Sequence, residues 1–391
     1  MRLGLGRVLL ELLKAWFPNR DPSSKAPPAF EGLLVVHVEM DTEHGQAHQE
    51  QKPSTEDLKT LVDSIGIKDV EFMSLLLSEI FNDPSTPEST SQTAVERHQK
   101  LVRLLHPTPS PTPSKTKIDH TSLASLQRSL LLTLLRRKAR EEKCEVLVTG
   151  EGSDRVAELT IEGMALGRGY AIGEEVGVEW EVSEGEKAQG NGLLVARPVS
   201  GILRAEMDEL VRVKRLVVAR PDRGEAAGGG PTIQAVVAKF VNGLQKEFPS
   251  TVQTVLATVH KLGMRSTDAR MRIEEGEMGS ESWKGCAICG GPVQEGAHRW
   301  RTAITMSDLF ETDPASVTRS IEDAEPQTAA IGISESKHDD SANSLDSSLC
   351  YGCLSIPKAI AKPEDLPSYV EQQRWSSGRM DDVVKEFLIE E

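Results

Sequence analysis

Two short cysteine pairs, C-A-I-C at 286–289 and C-Y-G-C at 350–353, constrain this chain more than any other feature. A C-x-x-C puts two thiolates on one tight turn, and two such turns can surround one ion with a tetrahedron of sulfur. Sixty residues lie between Cys289 and Cys350, so the chain has to come back to a point if the pairs meet. Loop-closure entropy grows only logarithmically with length, and the long interval costs such a site little. Gly290, Gly291 and Pro292 follow the first pair and Gly352 lies inside the second, which suits knuckle turns. Cys286, Cys289, Cys350 and Cys353 therefore read as ligands of a closed, structural Zn2+ site, with four ligands of one kind and no open position. The alternatives are four buried or redox-active thiols, or a catalytic dithiol, although a redox C-x-x-C usually occurs singly beside a βαβ unit. His298 reads as an ordinary surface histidine, and Cys144, just ahead of an apolar run, as a core residue.

Composition explains the interval. Between Asp308 and Asp346 ten acids face only Arg319 and Lys337, which is −8 of the chain's net −15. Segment 307–346 is predicted to be a disordered insertion hanging from a zinc ribbon over 281–360, with 361–391 as a C-terminal tail. The acidic balance argues against a chain coated with basic residues for nucleic acid but leaves room for local basic patches. Five cysteines in 391 residues do not make a secreted disulfide framework. The apolar run V-L-L-E-L-L-K-A-W at 8–16 is too short for a membrane span, and Glu11 and Lys14 interrupt it as a signal peptide. The chain reads as soluble and cytoplasmic, with no membrane partner.

Along the chain, Gly4 and Gly6 are expected to turn the backbone into a helix over 7–17, with Leu9, Leu12, Leu13 and Trp16 on one face. L-L-V-V-H-V at 33–38 is the continuous apolar run of a strand covered on both faces. Ser54, with Asp57 three residues on, opens one helix, and a second is predicted over 68–81. The proline-alternating segment 106–117 is an extended surface loop. A long helix follows over Thr121–Lys143, with Leu123, Leu126, Leu130 and Leu134 inward and Arg136, Arg137, Lys138 and Arg140 in its last turns. Next come a strand at 145–150, a helix at 154–167, a strand at 193–198 and a helix at 202–216. Beyond a glycine-rich loop at 221–231 lie two helices, the second capped by Ser250 and Gln253. This order predicts a doubly wound parallel α/β sheet over 1–270. Since the chain opens on a glycine-rich turn, the first strand of such a sheet is expected to be missing.

Ligands bind such sheets outside the carboxyl ends of the strands. One loop there is L-G-L-G-R-V-L-L at 3–10, whose amides suit a phosphate. It lacks the Ser, Lys or Asp of a catalytic phosphate loop, and a plain tight turn is an equal reading. The other is L-V-T-G-E-G-S-D-R-V-A-E-L-T-I-E-G-M-A-L-G-R-G at 147–169, where Gly150 precedes Asp154 and Glu158 on one helix face.

That second stretch resembles the second signature of the PP-loop ATPases that thiolate tRNA, with its T-G turn, acidic helix start, A-E pair and closing R-G. R-P-V-S-G-I-L-R-A-E-M-D-E-L-V-R-V-K-R-L at 197–216 resembles their next element, an R-P strand end before a helix with a buried-face Glu. With 232–263 and the closing cysteine pairs, most of 3–391 is similar to the cytoplasmic tRNA 2-thiolation protein 2 family. The resemblance implies a degenerate PP-loop fold with a C-terminal zinc ribbon held by four cysteines. It also implies a non-catalytic subunit that forms a heterodimer with a catalytic paralogue and helps hold tRNA. The paralogue adenylates the wobble uridine (U34) of cytosolic tRNAs for Lys, Glu and Gln, and sulfur arrives from a thiocarboxylated ubiquitin-related modifier.

Carried over residue by residue, the family's phosphate loop falls on Leu3–Arg7, which has neither Ser nor Asp. Of its paired aspartates Asp154 alone is matched, Arg155 taking the second place. Gly4, Gly6, Gly150 and Asp154 thus form a vestigial nucleotide-binding set, and this chain is not expected to hydrolyse ATP. Arg136, Arg137, Lys138, Arg140 and Arg168 are candidates for tRNA phosphates, against the plainer reading of a solvated helix face. Two other functions compete: an active adenylating PP-loop enzyme, and a zinc-ribbon adaptor with no tRNA role.

Overall fold

The computed structural model describes residues 3–14, 32–40, 54–67, 69–82, 93–107, 119–181, 192–217, 232–248, 250–259, 285–294, 345–360 and 362–371, with single residues at 30, 261 and 297. Most of 106–117, all of 221–231, His298 and nearly all of the acidic segment 307–346 lie outside these residues.

The first structural unit is a parallel pair. Strand β1 (Leu33–Glu39) runs beside β2 (Val70–Leu76), with Leu33 opposite Val70 and Glu39 opposite Leu76. Parallel neighbours need a crossover, and helix α2 (Thr55–Asp63) lies between the two strands in sequence. Its start is the expected capping box: Ser54 Oγ accepts from the Asp57 amide at 3.1 Å, and the Asp57 carboxylate accepts from the Ser54 amide at 3.0 Å. The helix predicted over 68–81 is instead β2 followed by a 3-10 turn, Leu77–Phe81. Val70 and Phe72 suit a pleated surface, and β1 supplies a full hydrogen-bonding ladder that outweighs modest helical periodicity. Helix α3 (Ala94–Leu105) was not anticipated, although Thr93 and Glu96 form a second capping box at its start.

Helix α4 (His120–Glu141) matches the sequence reading closely. Asp119 caps it by accepting from the Thr121 and Ser122 amides, and Leu123, Leu126, Leu130 and Leu134 are buried. Beyond it come β3 (Val146–Val148), α5 (Ser153–Ala165), the short α6 (Ile172–Val176), β4 (Glu179–Glu181), β5 (Leu193–Ala196), α7 (Arg204–Val213), α8 (Ile233–Glu247) and a helix at 250–259. That last helix already includes Ser250, so the Ser250 cap is displaced. The second sheet has the order β3-β5-β4, with β3 parallel and β4 antiparallel to β5. The described strands thus form a parallel pair and a mixed three-stranded sheet, and not one all-parallel, doubly wound sheet.

Helix α1 (Leu3–Leu13) corrects another expectation, because Gly4 and Gly6 lie inside its first turns and not in a loop ahead of it. Interior glycine costs a helix about 1 kcal/mol against alanine, and tertiary packing offsets that cost here. Val8, Leu9 and Leu13 are buried with Val199 and Met207, against Leu33 of β1 and Val148 of β3. On α7 the buried residue is Met207; the expected buried-face glutamate is absent, and exposed Glu206 accepts from the Leu203 amide at the helix start.

Two further apolar clusters complete the core. Val156, Ala157 and Leu159 of α5 pack with Ile172 and Val176 of α6, Val237 and Val241 of α8, and Val252, Leu256 and Val259. The other joins the inner leucines of α4, Leu101 and Leu104 of α3 and Leu77 and Ile80 to both cysteine segments. A one-turn helix, Ile356–Ala359, lies against α4 in that cluster. Residues 362–371, assigned to a tail from sequence, belong to it as well, since Leu366 and Val370 are buried there. The cysteines therefore share a core with the α-helical layer and are not a separate appendage.

Candidate metal centre

Each cysteine pair sits on a turn whose backbone closes locally. In the first, the Cys286 amide donates to the Gly291 carbonyl at 2.7 Å and the Gly290 amide to the Cys286 carbonyl at 2.8 Å. Gly290 has φ +74°, a left-handed value that favours glycine, and Gly285 pairs with Pro292 across the turn. The second is a 3-10 turn, Tyr351–Cys353, in which the Cys353 amide donates to the Cys350 carbonyl at 2.9 Å. The Ala287 amide donates to the Ser348 carbonyl at 3.0 Å and so joins the two knuckles. Tyr369, from the segment first read as tail, donates to the Ile288 carbonyl at 3.3 Å.

The four sulfurs converge as the spacing predicted. All Sγ atoms lie within 4.8 Å of one another, and Cys289 and Cys350 are 3.7 Å apart. A tetrahedron with metal–sulfur bonds of about 2.3 Å has sulfur–sulfur edges of about 3.8 Å. Cys286, Cys350 and Cys353 are buried and Cys289 is partly so. The residues present fit a single metal ion ligated by four thiolates. Hydrogen bonding from Cys286, then from Cys289 and Cys353, pulls Cys350 well below the usual thiol range. Contact with Cys286, Cys289 and Cys350, with burial added, pushes Cys353 up.

A third segment closes the site. The end of α5 delivers Gly167, with φ +74°, and Arg168 onto the second knuckle. A Cβ at Gly167 would meet the Tyr351 ring at 2.5 Å, and one at Gly352 would run into Arg168 Cγ. Arg168 is only 6% exposed, and its Nε lies 3.4 Å from Glu175. Burial opposes its charge, but Glu175 and then Cys353 and Cys289 outweigh burial and hold its pKa above the ordinary value. Arg168, a surface tRNA candidate from sequence, is thus buried over the second knuckle. Nearby, burial and then the Cys350 charge push the Tyr170 hydroxyl up, and that hydroxyl hydrogen-bonds Cys350.

The loop after β3 is a second polar centre. Glu151 sits between Arg128 at 3.0 Å and Arg197 at 2.8 Å. Burial alone would raise its pKa, but Arg128 and Arg197 together bring it down to about 2. Arg197 also donates to the Gly177 carbonyl. Gly150 is buried at the end of β3. Asp154 accepts from the amide of Arg204, the first residue of α7, at 2.7 Å, so this buried carboxylate ties α5 to α7. Glu158, buried as well, pairs with Arg155 at 2.9 Å. The sequence reading missed Glu151, whose only local sign is its place between the glycines of T-G-E-G.

The basic end of α4 is largely spoken for. Arg137 donates to the carbonyls of Glu79, Ile80 and Asn82, at the end of the 3-10 turn. Lys138 pairs with Glu141 at 3.3 Å and Glu142 at 2.9 Å, and Arg136 and Arg140 are engaged as well. Cys144, expected in the core, is only half-buried. Among the described residues no helix is long and apolar enough to cross a membrane.

Comparison with known proteins covers the cysteine region. A family model for cytoplasmic tRNA 2-thiolation protein 2 matches residues 232–355, from the start of α8 through both cysteine pairs. A protein of that name from Schizosaccharomyces pombe is 29% identical over 202 residues, covering 49% of this chain and 47% of the relative. One from Rattus norvegicus is 23% identical over 463 positions, covering 100% of this chain and 84% of the relative. The chain thus spans about half the length of the S. pombe relative. The solved U34-tRNA thiolase NcsA from Methanococcus maripaludis, with its [4Fe-4S] cluster, superposes with a TM-score of 0.41 at 14% identity, over 67% of this chain and 69% of that one. That overlap is too slight to carry an argument. The sequence matches, with all four converging cysteines inside the segment that the family model covers, make this chain similar to the cytoplasmic tRNA 2-thiolation protein 2 family.

Proposed function

We propose that this chain is a subunit of the cytoplasmic machinery that 2-thiolates the wobble uridine, U34, of tRNAs for Lys, Glu and Gln. In this reading it is the binding and scaffolding partner of a catalytic PP-loop paralogue, and sulfur comes from a thiocarboxylated ubiquitin-related modifier. The observation that carries the reading is the family match through 232–355, which includes the four cysteines. A scaffolding role is supported by what the acids of the second signature do. Asp154 holds the first amide of α7, and Glu151 bridges two arginines, so both carboxylates are committed to the fold.

Cys286, Cys289, Cys350 and Cys353 hold Zn2+ in this proposal. Each thiolate of a [4Fe-4S] cluster ligates a different iron, which spreads the sulfurs, whereas here all four fit around one ion. The bound metal closes the knuckles and supplies no reaction step. A deletion strain carrying this chain on a plasmid provides the test, read by mass analysis of its tRNA. Loss of 2-thiouridine on deletion, with the other modifications of U34 retained, and restoration by the plasmid are expected. Normal thiolation in the deletion strain would sink the proposal.

A further inference from the structure

Four thiolates around a divalent cation leave two net negative charges in a buried site, and buried charge is costly unless paired. Among the described residues, one cation beside the site comes from neither knuckle. Arg168, beyond the C-terminus of α5, lies with its stem over Gly352 at the centre of the second C-x-x-C. Gly352 has no side chain to occupy that space, and Gly167 likewise leaves room for the Tyr351 ring. The α5 end and the knuckle thus interlock through two glycines. Its side chain is 7% exposed, Glu175 takes part of its charge at 3.4 Å, and Cys353, Cys289 and Glu162 are further charged neighbours.

We propose that Arg168 is the positioning residue that neutralises the four-cysteine metal centre, so that metal affinity is set partly by the α/β layer and not by the knuckles alone. This inference rests on the metal reading of the four cysteines. Outer-shell partners of metal ligands typically contribute about 10- to 100-fold in affinity. Arg168→Met keeps most of the apolar stem over Gly352 and removes the charge, whereas Arg168→Lys keeps both.

The test measures Zn2+ affinity of the purified full chain by competition with a chromophoric chelator at one pH and ionic strength. Arg168→Met should bind about 10- to 100-fold more weakly than the parent, with Arg168→Lys restoring most of the loss. Glu175→Gln, which removes a negative charge beside the site and leaves the guanidinium, should shift affinity the opposite way. It also keeps the idea testable if Arg168→Met does not fold. If the parent chain binds no Zn2+, the metal reading itself falls. If the parent binds and Arg168→Met binds equally well, the role of Arg168 alone is overturned. Equal losses in the Met and Lys variants, or weaker binding by Glu175→Gln, also overturn it, because packing and not charge would then be at work.

Discussion

Replacing Glu151 with Gln tests whether the loop after β3 is held by charge. An ordinary glutamate titrates near 4.5, and between Arg128 and Arg197 this one is brought down to about 2. Its side chain is 15% exposed and that of Arg197 is 2% exposed, so solvent screening is slight. A pKa unit is worth about 1.4 kcal/mol, and a shift of about two and a half units therefore links to about 3 kcal/mol of folding stability. The folded pKa is depressed, so this stability is fully present above pH 4.5 and is lost as pH falls from there toward 2. Urea unfolding of the parent and Glu151→Gln should differ by about 3 kcal/mol at pH 7, since the variant leaves buried Arg197 without its carboxylate. Below pH 4.5 the gap should narrow by about 1.4 kcal/mol per pH unit. A gap under about 1 kcal/mol at pH 7, or one that does not narrow in acid, would refute the reasoning.

Two further outcomes follow from the geometry. Cys286→Ser should abolish stoichiometric Zn2+ and lower the melting temperature, because the cysteines share a core with α4; elemental analysis and calorimetry read both, and a parent chain prepared without chelator should hold one Zn2+. Arg137→Ala should cost about 1–3 kcal/mol, because the carbonyls of Ile80 and Asn82 lose the guanidinium donor and that of Glu79 keeps only the Asn82 amide. An unchanged melting temperature with weakened tRNA binding would instead return Arg137 to the nucleic-acid surface.

What the amino-acid order determined by itself was local in range. Each cysteine pair could be read as a two-thiolate turn because a C-x-x-C is complete within four residues and glycine follows or interrupts each pair, whereas the meeting of the two pairs was decided by the fold. The leucines of α4 could be placed inward from their spacing, and Ser54 with Asp57 marked the start of α2, because helical period and capping act within one or two turns. The second box, Thr93 with Glu96, was equally legible and was overlooked. The tertiary structure decided the rest. Segment 70–76 became a strand because β1 lay beside it to complete its hydrogen bonds, and no window of sequence contains that partner. Gly4 and Gly6 became helical because the helix they begin buries Val8, Leu9 and Leu13 against two strands. β4 runs antiparallel to β5, and residues 362–371 pack under the cysteines, through contacts with distant residues. Arg168 looked like a surface cation because its immediate neighbours are glycines, Leu166 and Tyr170. It is buried because Gly352, far away in the chain, leaves a space that only folding brings beneath it.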